Sequence, residues 1–194
     1  MLFTGIEMKR TLVAGLLTVS AGASFAQIYV GAGATGSNFE FDCSGASSCD
    51  WSSLGGKAYI GYAFTPNVMS EISYLNFGRA KLTAMAYVNG YGNTLVRAKF
   101  DITAITAAMA VRTALSQSWG IVGRLGVAQV KAAGNGQVDQ IGSASYSETQ
   151  YEPYGGLSLE YNLTKSLKTF LSADFTQGGD EDLRMVGWGA QYSF

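Results

Sequence analysis

Seven ionised side chains stand within largely uncharged runs: Lys57, Glu71, Arg112, Arg124, Glu160, Lys168 and Asp174. Acids and bases lie far apart along the chain, so any pairing among them has to be built by the fold. Such groups can neutralise one another in a buried network, or they can line a path for a solute. Either use requires them to face one enclosed space, because a buried charge is costly unless it is paired and hydrogen-bonded. Nucleophilic and metal chemistry is narrowed by the absence of histidine, which removes Ser-His and Cys-His hydrolases and His-ligated zinc. No catalytic residue, metal-ligand set or cofactor is assigned. Gly31, Gly33 and Gly36 have the spacing of a dinucleotide-binding loop, but nothing after them reads as the helix that would aim its N-terminus at a pyrophosphate. Cys43 and Cys49 lie six residues apart in a polar stretch. They are expected to form a local disulfide if the chain reaches an oxidising compartment.

The N-terminus supplies that address. Lys9 and Arg10 precede the apolar run from Thr11 to Val19, and Ser24 and Ala26 flank Phe25, the pattern of a signal peptide cut after Ala26. Residues 1–26 are therefore read as the signal and residues 27–194 as one domain, with either Met1 or Met8 as the start. The run is too short to cross a bilayer as a helix, which takes roughly 20 apolar residues. With 13 Lys+Arg against 14 Asp+Glu in 194 residues, there is no basic field for a nucleic-acid backbone.

The elements that carry the seven charges read as strands. Period-2 alternation recurs in eight runs, 27–35, 54–64, 68–77, 96–113, 119–130, 152–163, 168–177 and 184–194, an even count that suits a closed antiparallel barrel. The connections alternate in length. Those at 65–67, 114–118 and 164–167 are short, whereas 36–53, 78–95 and 131–151 are long and polar. Short periplasmic turns and long outer loops are the habit of outer-membrane barrels. Fixing each strand's parity by its apolar residues puts Ile60, Ile72, Leu125, Leu157 and Trp188 on one face, and a small, polar set on the other. All seven charges fall on the second face. In a membrane barrel that face is the lumen, since a charge against the hydrocarbon midplane costs on the order of 2–4 kcal/mol. Tyr62, Phe64, Trp119, Tyr161, Tyr192 and Phe194 gather near the short connections, as an interfacial girdle requires. Eight strands leave an interior that side chains roughly fill, so a plugged lumen is expected, with a narrow pore as the alternative. Aromatic residues in the outer connections, including Trp51, Tyr87, Tyr91, Tyr146 and Tyr151, suit contact with a host surface, phage or lipopolysaccharide.

Several of these segments resemble a known family. Leu54 to Arg79 resembles the second and third strands of the OmpA-like outer-membrane β-barrels, Gly123 to Gly126 the fifth, and Leu157 to Thr164 the sixth. The resemblance implies an eight-stranded antiparallel transmembrane β-barrel in the cell outer membrane, a structural and surface-interaction role, and no enzymatic activity. It implies that Glu71, Arg124 and Glu160 belong to an interior ionic network, in which an Arg124–Glu160 coupling is expected. It further implies that the terminal Tyr192-x-Phe194 is the signal read by the barrel assembly machinery. Phe170 and Ala110 stand where the family has an interior Arg and an interior Lys. Lys57, Arg112, Lys168 and Asp174 are the candidates to replace them.

Overall fold

Small and β-branched residues alternating with apolar ones favour a pleated surface with two unlike faces, and among the described residues they form nine strands. A computed structural model describes residues 27–39, 46–50, 52–88, 92–138, 142–178 and 181–194. The strands are β1 (Gln27–Phe39), β2 (Ala46–Asp50), β3 (Ser52–Ala63), β4 (Val68–Val88), β5 (Gly92–Ala114), β6 (Trp119–Val138), β7 (Gly142–Asn162), β8 (Leu167–Gly178) and β9 (Glu181–Ser193). All pairings are antiparallel; β1 pairs with both β3 and β9, and β4 pairs with β5 to close the sheet. Against β4, β2 ends at Asp50↔Lys81 while β3 begins at Gly56↔Asn76. The two therefore share one lane, and the barrel has the eight lanes expected. Closure leaves no open backbone edge in the hydrocarbon, the condition for strands to span a bilayer.

Three short turns are built alike. The amides of Phe64 and Thr65 both donate to Val68 O, those of Leu115 and Ser116 to Trp119 O, and those of Leu163 and Thr164 to Leu167 O. In each turn the second residue's hydroxyl, on Thr65, Ser116 or Thr164, accepts two backbone amides further on. Side-chain acceptors of this kind fix a tight turn without glycine.

The faces follow the expected parity. Leu125 and Trp188 are 77% and 68% exposed on the outside, while Phe77 and Asp174 are fully buried inside. Tyr62–Phe64, Trp119–Tyr161 and Tyr192–Phe194 form ring pairs at 4.8–5.1 Å between centroids, next to the turns or the C-terminus. Asn162, which shares the inward parity of Ser158 and Glu160, is exposed at the rim.

The long connections differ from expectation. The β4–β5 ladder continues to Val88↔Gly92 and the β6–β7 ladder to Val138↔Gly142, so residues 78–95 and 131–151 are mostly strand. Residues 142–149 carry no alternation because both faces of that segment meet water: all eight are exposed. Against β8, in contrast, β7 pairs only from Gly155 downward. The result is a sheet of β4 to β7 raised above one side of the barrel, with β7 as its outer strand.

A bulge sets the face of that sheet. The register shifts between Asn76 and Gly78, Gly78 adopts φ +83°, and Asn76 Oδ1 accepts its amide at 2.8 Å. A Cβ at Gly78 would lie 2.6 Å from Leu54 O, so only glycine fits this left-handed position. Beyond the bulge Arg79 lies opposite Asp101 on the outward face, and the two side chains pair at 2.7 Å.

Candidate functional site in the barrel lumen

The inward residues fall into three layers. Nearest the outer surface is an apolar plug of Leu75, Phe77, Ile102, Val130, Leu183 and Met185. The expectation of a small, polar lumen therefore needs correction: the outer part of the lumen is filled with large side chains. Their parity gave the clue, since Leu75 and Phe77 lie one residue off the outward Ile72–Tyr74 register, as Met185 does from Val186.

Below the plug lies the charged layer. Arg124 Nε donates to Glu71 Oε2 at 2.5 Å and its Nη2 to Oε1 at 3.2 Å, a two-pronged pair whose side chains are 2% and 1% exposed. Tyr29 donates its hydroxyl proton to Glu71 Oε1 at 2.8 Å, and Arg124 Nη1 donates to Ser158 Oγ at 2.5 Å. Across the lumen, Lys57 Nζ donates to Asp174 Oδ1 at 2.7 Å, and the Tyr154 hydroxyl donates to the same oxygen. Between the two pairs, the Tyr59 ring has Lys57 Nζ and the Arg124 guanidinium 5.6 and 5.7 Å from its centroid. Its hydroxyl donates to Gln191 Oε1 at 3.0 Å.

Glycines make this packing possible. Gly31 faces Tyr59 and Gly61 faces Tyr29 across the β1–β3 ladder, and each ring occupies the space a Cβ would need. The Gly31–Gly36 stretch thus lies within β1 as barrel wall, not in a nucleotide loop.

The third layer is at the periplasmic mouth. Arg112 Nη2 donates to Glu160 Oε2 at 2.5 Å, with Lys168 Nζ 3.6 Å from the same oxygen. The seven charges thus form three groups and not one network. The expected Arg124–Glu160 coupling is replaced by Arg124–Glu71, for a reason of register. Glu71 is opposite Ala108, which is opposite Gly126, two residues from Arg124. Glu160 is opposite Gly120, four residues from Arg124 and near the turn. Phe170 packs on Tyr59 at 5.6 Å between ring centroids, and Ala110 is fully buried. Arg112 and Lys168 supply cations to Glu160 from two residues beyond Ala110 and two before Phe170. Tyr29, Tyr59, Tyr154 and Gln191 join the ionic layer through their polar ends, which inward parity alone does not reveal.

The last strand closes the seam with the first. Phe194 N donates to Ile28 O at 3.0 Å and Gln27 Nε2 to Phe194 O at 2.9 Å, with Tyr192 and Phe194 both turned outward. Cys43, and with it the Cys43–Cys49 pairing, lies outside the described residues, as do residues 1–26.

A closed barrel with a greasy exterior and paired charges within has few settings. Residues 11–194 match the family described as "Outer membrane protein beta-barrel domain". The chain belongs to that family. Its place is the cell outer membrane. Solved structures share the fold at low identity. The attachment invasion locus protein Ail of Yersinia pestis is 18% identical, with 87% of this chain and 99% of that chain covered and a TM-score of 0.59. OprG of Pseudomonas aeruginosa is 15% identical, covering 87% and 95%, with a TM-score of 0.54. The N-terminal barrel domain of OprF from the same organism is 14% identical, covering 87% and 99%, with a TM-score of 0.53. Ail has also been solved in complex with the heparin analogue sucrose octasulfate. No curated protein matches the chain by sequence.

Proposed function

We propose that this outer-membrane barrel passes no solute through its lumen, has no enzymatic activity, and acts as a fixed pedestal for a cationic sheet that contacts polyanions outside the cell. The observation that carries the reading is the register above the Gly78 bulge. Arg79, Arg97, Lys99 and Lys131 share the outward face of the raised sheet, where Arg79 is opposite Asp101, Arg97 opposite Thr83 and Lys131 opposite Thr103. Register places two acids on that face, Asp101 and, opposite Lys81, Asp50, whereas Glu148 and Glu152 of β7 have the opposite parity. With Lys81, which the register puts opposite Lys99, cations outnumber carboxylates on this face, and a cation-rich face just above a lipid-facing belt suits the phosphates of lipopolysaccharide or a sulfated surface glycan. A rigid base serves such a surface, and the apolar plug with the Lys57–Asp174 and Arg124–Glu71 pairs supplies one.

Two measurements test the reading. Planar-bilayer recording should show no reproducible conductance steps; steady steps would favour a narrow pore. Sucrose octasulfate should bind the barrel in neutral micelles with an affinity that falls as salt rises. The Arg97→Gln, Lys99→Gln, Lys131→Gln triple variant should weaken that binding at least tenfold, and unchanged binding would remove the cationic face from the account.

The remaining roles belong to biogenesis. Residues 1–26 act as the cleaved signal, so the mature protein should begin at Gln27 by mass. Cys43 and Cys49 should resist alkylation until reduced. Tyr192 and Phe194 act as the assembly signal. Removing the Phe194 ring should lower the folded yield in cells more than it lowers stability after refolding in vitro.

A further inference from the structure

We infer that the periplasmic mouth of the barrel is a binding site for a phosphate-type oxyanion, held by Arg112, Lys168 and Lys165. The mouth opens as a cavity of about 600 Å³ between the turns at 115–118 and 163–166. Its charged lining is Arg112, Lys165 and Lys168 against the single carboxylate of Glu160. The mid-lumen pairs, Lys57–Asp174 and Arg124–Glu71, are balanced one to one. The mouth carries a surplus of two positive charges, the complement of a dianion.

The donors are also incompletely used. Arg112 spends Nη2 on Glu160, and its Nε is buried with no protein partner. Lys168 Nζ stands 3.6 Å from Glu160, an ionic contact longer than a hydrogen bond, so its N–H donors remain open to an acceptor. Both side chains are largely enclosed, at 21% and 12% exposure, which strengthens their pull on an anion relative to a surface lysine. Ser116 and Thr164 are committed to their turns, leaving the cations as the recognition elements. Glu160 does not block the site, because Arg112 covers it. Trp119 and Leu163 on the rim set the mouth at the membrane interface. The oxyanion can therefore come from a phospholipid headgroup of the inner leaflet or from a free phosphate of the periplasm.

The test uses the full folded chain in phosphate-free maltoside micelles, with backbone amide NMR shifts as the readout. Inorganic phosphate is titrated in one arm and phosphatidylglycerol in the other, against chloride at equal ionic strength. Saturable shifts confined to residues 112–120 and 160–168 are expected, and the arm that produces them identifies the source. Lys168→Gln should weaken the apparent affinity about tenfold, the scale of one charge-assisted hydrogen bond. Lys165→Gln, on an exposed turn, carries the same test with a smaller drop should Lys168→Gln fail to fold. The absence of saturable shifts in both arms would overturn the site, as would shifts equally strong in both variants.

Discussion

Removing both partners of the Arg124–Glu71 pair should cost less than the two single removals added together. The two side chains are 2% and 1% exposed, so solvent screens neither. Glu71→Ala leaves the guanidinium with Ser158 as its hydrogen-bond partner and strips the Tyr29 hydroxyl of its acceptor. Arg124→Ala leaves a carboxylate held by Tyr29. A lone buried charge of this kind costs about 3–5 kcal/mol. The double variant loses attraction and desolvation together, so it should fall short of the summed losses by about 2–3 kcal/mol. The assay is urea unfolding from lipid vesicles, followed by tryptophan fluorescence and by the gel shift between boiled and unboiled samples. Arg124→Ala combined with Glu160→Ala is the control, additive to within about 0.5 kcal/mol for groups with no shared partner. Additive losses for Glu71 and Arg124, or coupling in the control instead, would refute the pairing.

Other expectations use the same unfolding assay. Gly189→Val should cost about 1–3 kcal/mol by overpacking, because a Cβ there would lie 2.6 Å from Gly33 Cα and from Phe170 Cζ; Gly123→Ala, with nothing within 4 Å, should be close to neutral. Leu125→Arg places a charge on the lipid face at a site 77% exposed and should cost about 2–4 kcal/mol in a bilayer. Ser116→Ala removes the acceptor of two turn amides and should cost about 1 kcal/mol, with Thr65→Ala and Thr164→Ala behaving alike.

The lane count and the faces were legible in the sequence because one physical asymmetry, lipid outside and packed polar groups inside, imprints a period of two on every spanning strand. Leu125 and Arg124 could be assigned to opposite sides from their neighbours alone. Where the asymmetry ends, so does the signal. The upper part of β7 meets water on both faces, and Gly142 to Thr149 reads as loop although its backbone is in a ladder. Ion-pair partners were not legible either. Parity says that Arg124 points inward, but its height relative to Glu71 and Glu160 depends on the stagger of four strands. The bulge at Gly78 shows the same limit, since one extra residue turns Arg79 outward, and no local pattern in Asn76–Phe77–Gly78 announces it.

The inversion of faces can be tested by tryptophan quenching in brominated lipid. Single-tryptophan forms retaining Trp188, opposite Leu171 in the body of the wall, or Trp119, beside a periplasmic turn, are refolded into bilayers brominated at different chain depths. Trp188 should be quenched most by bromines deep in the acyl chain and Trp119 by those nearer the headgroup, with aqueous iodide reaching Trp188 least. Quenching of Trp188 by iodide but by no brominated lipid would mean that the apolar face does not meet hydrocarbon, and the inside-out barrel would be wrong.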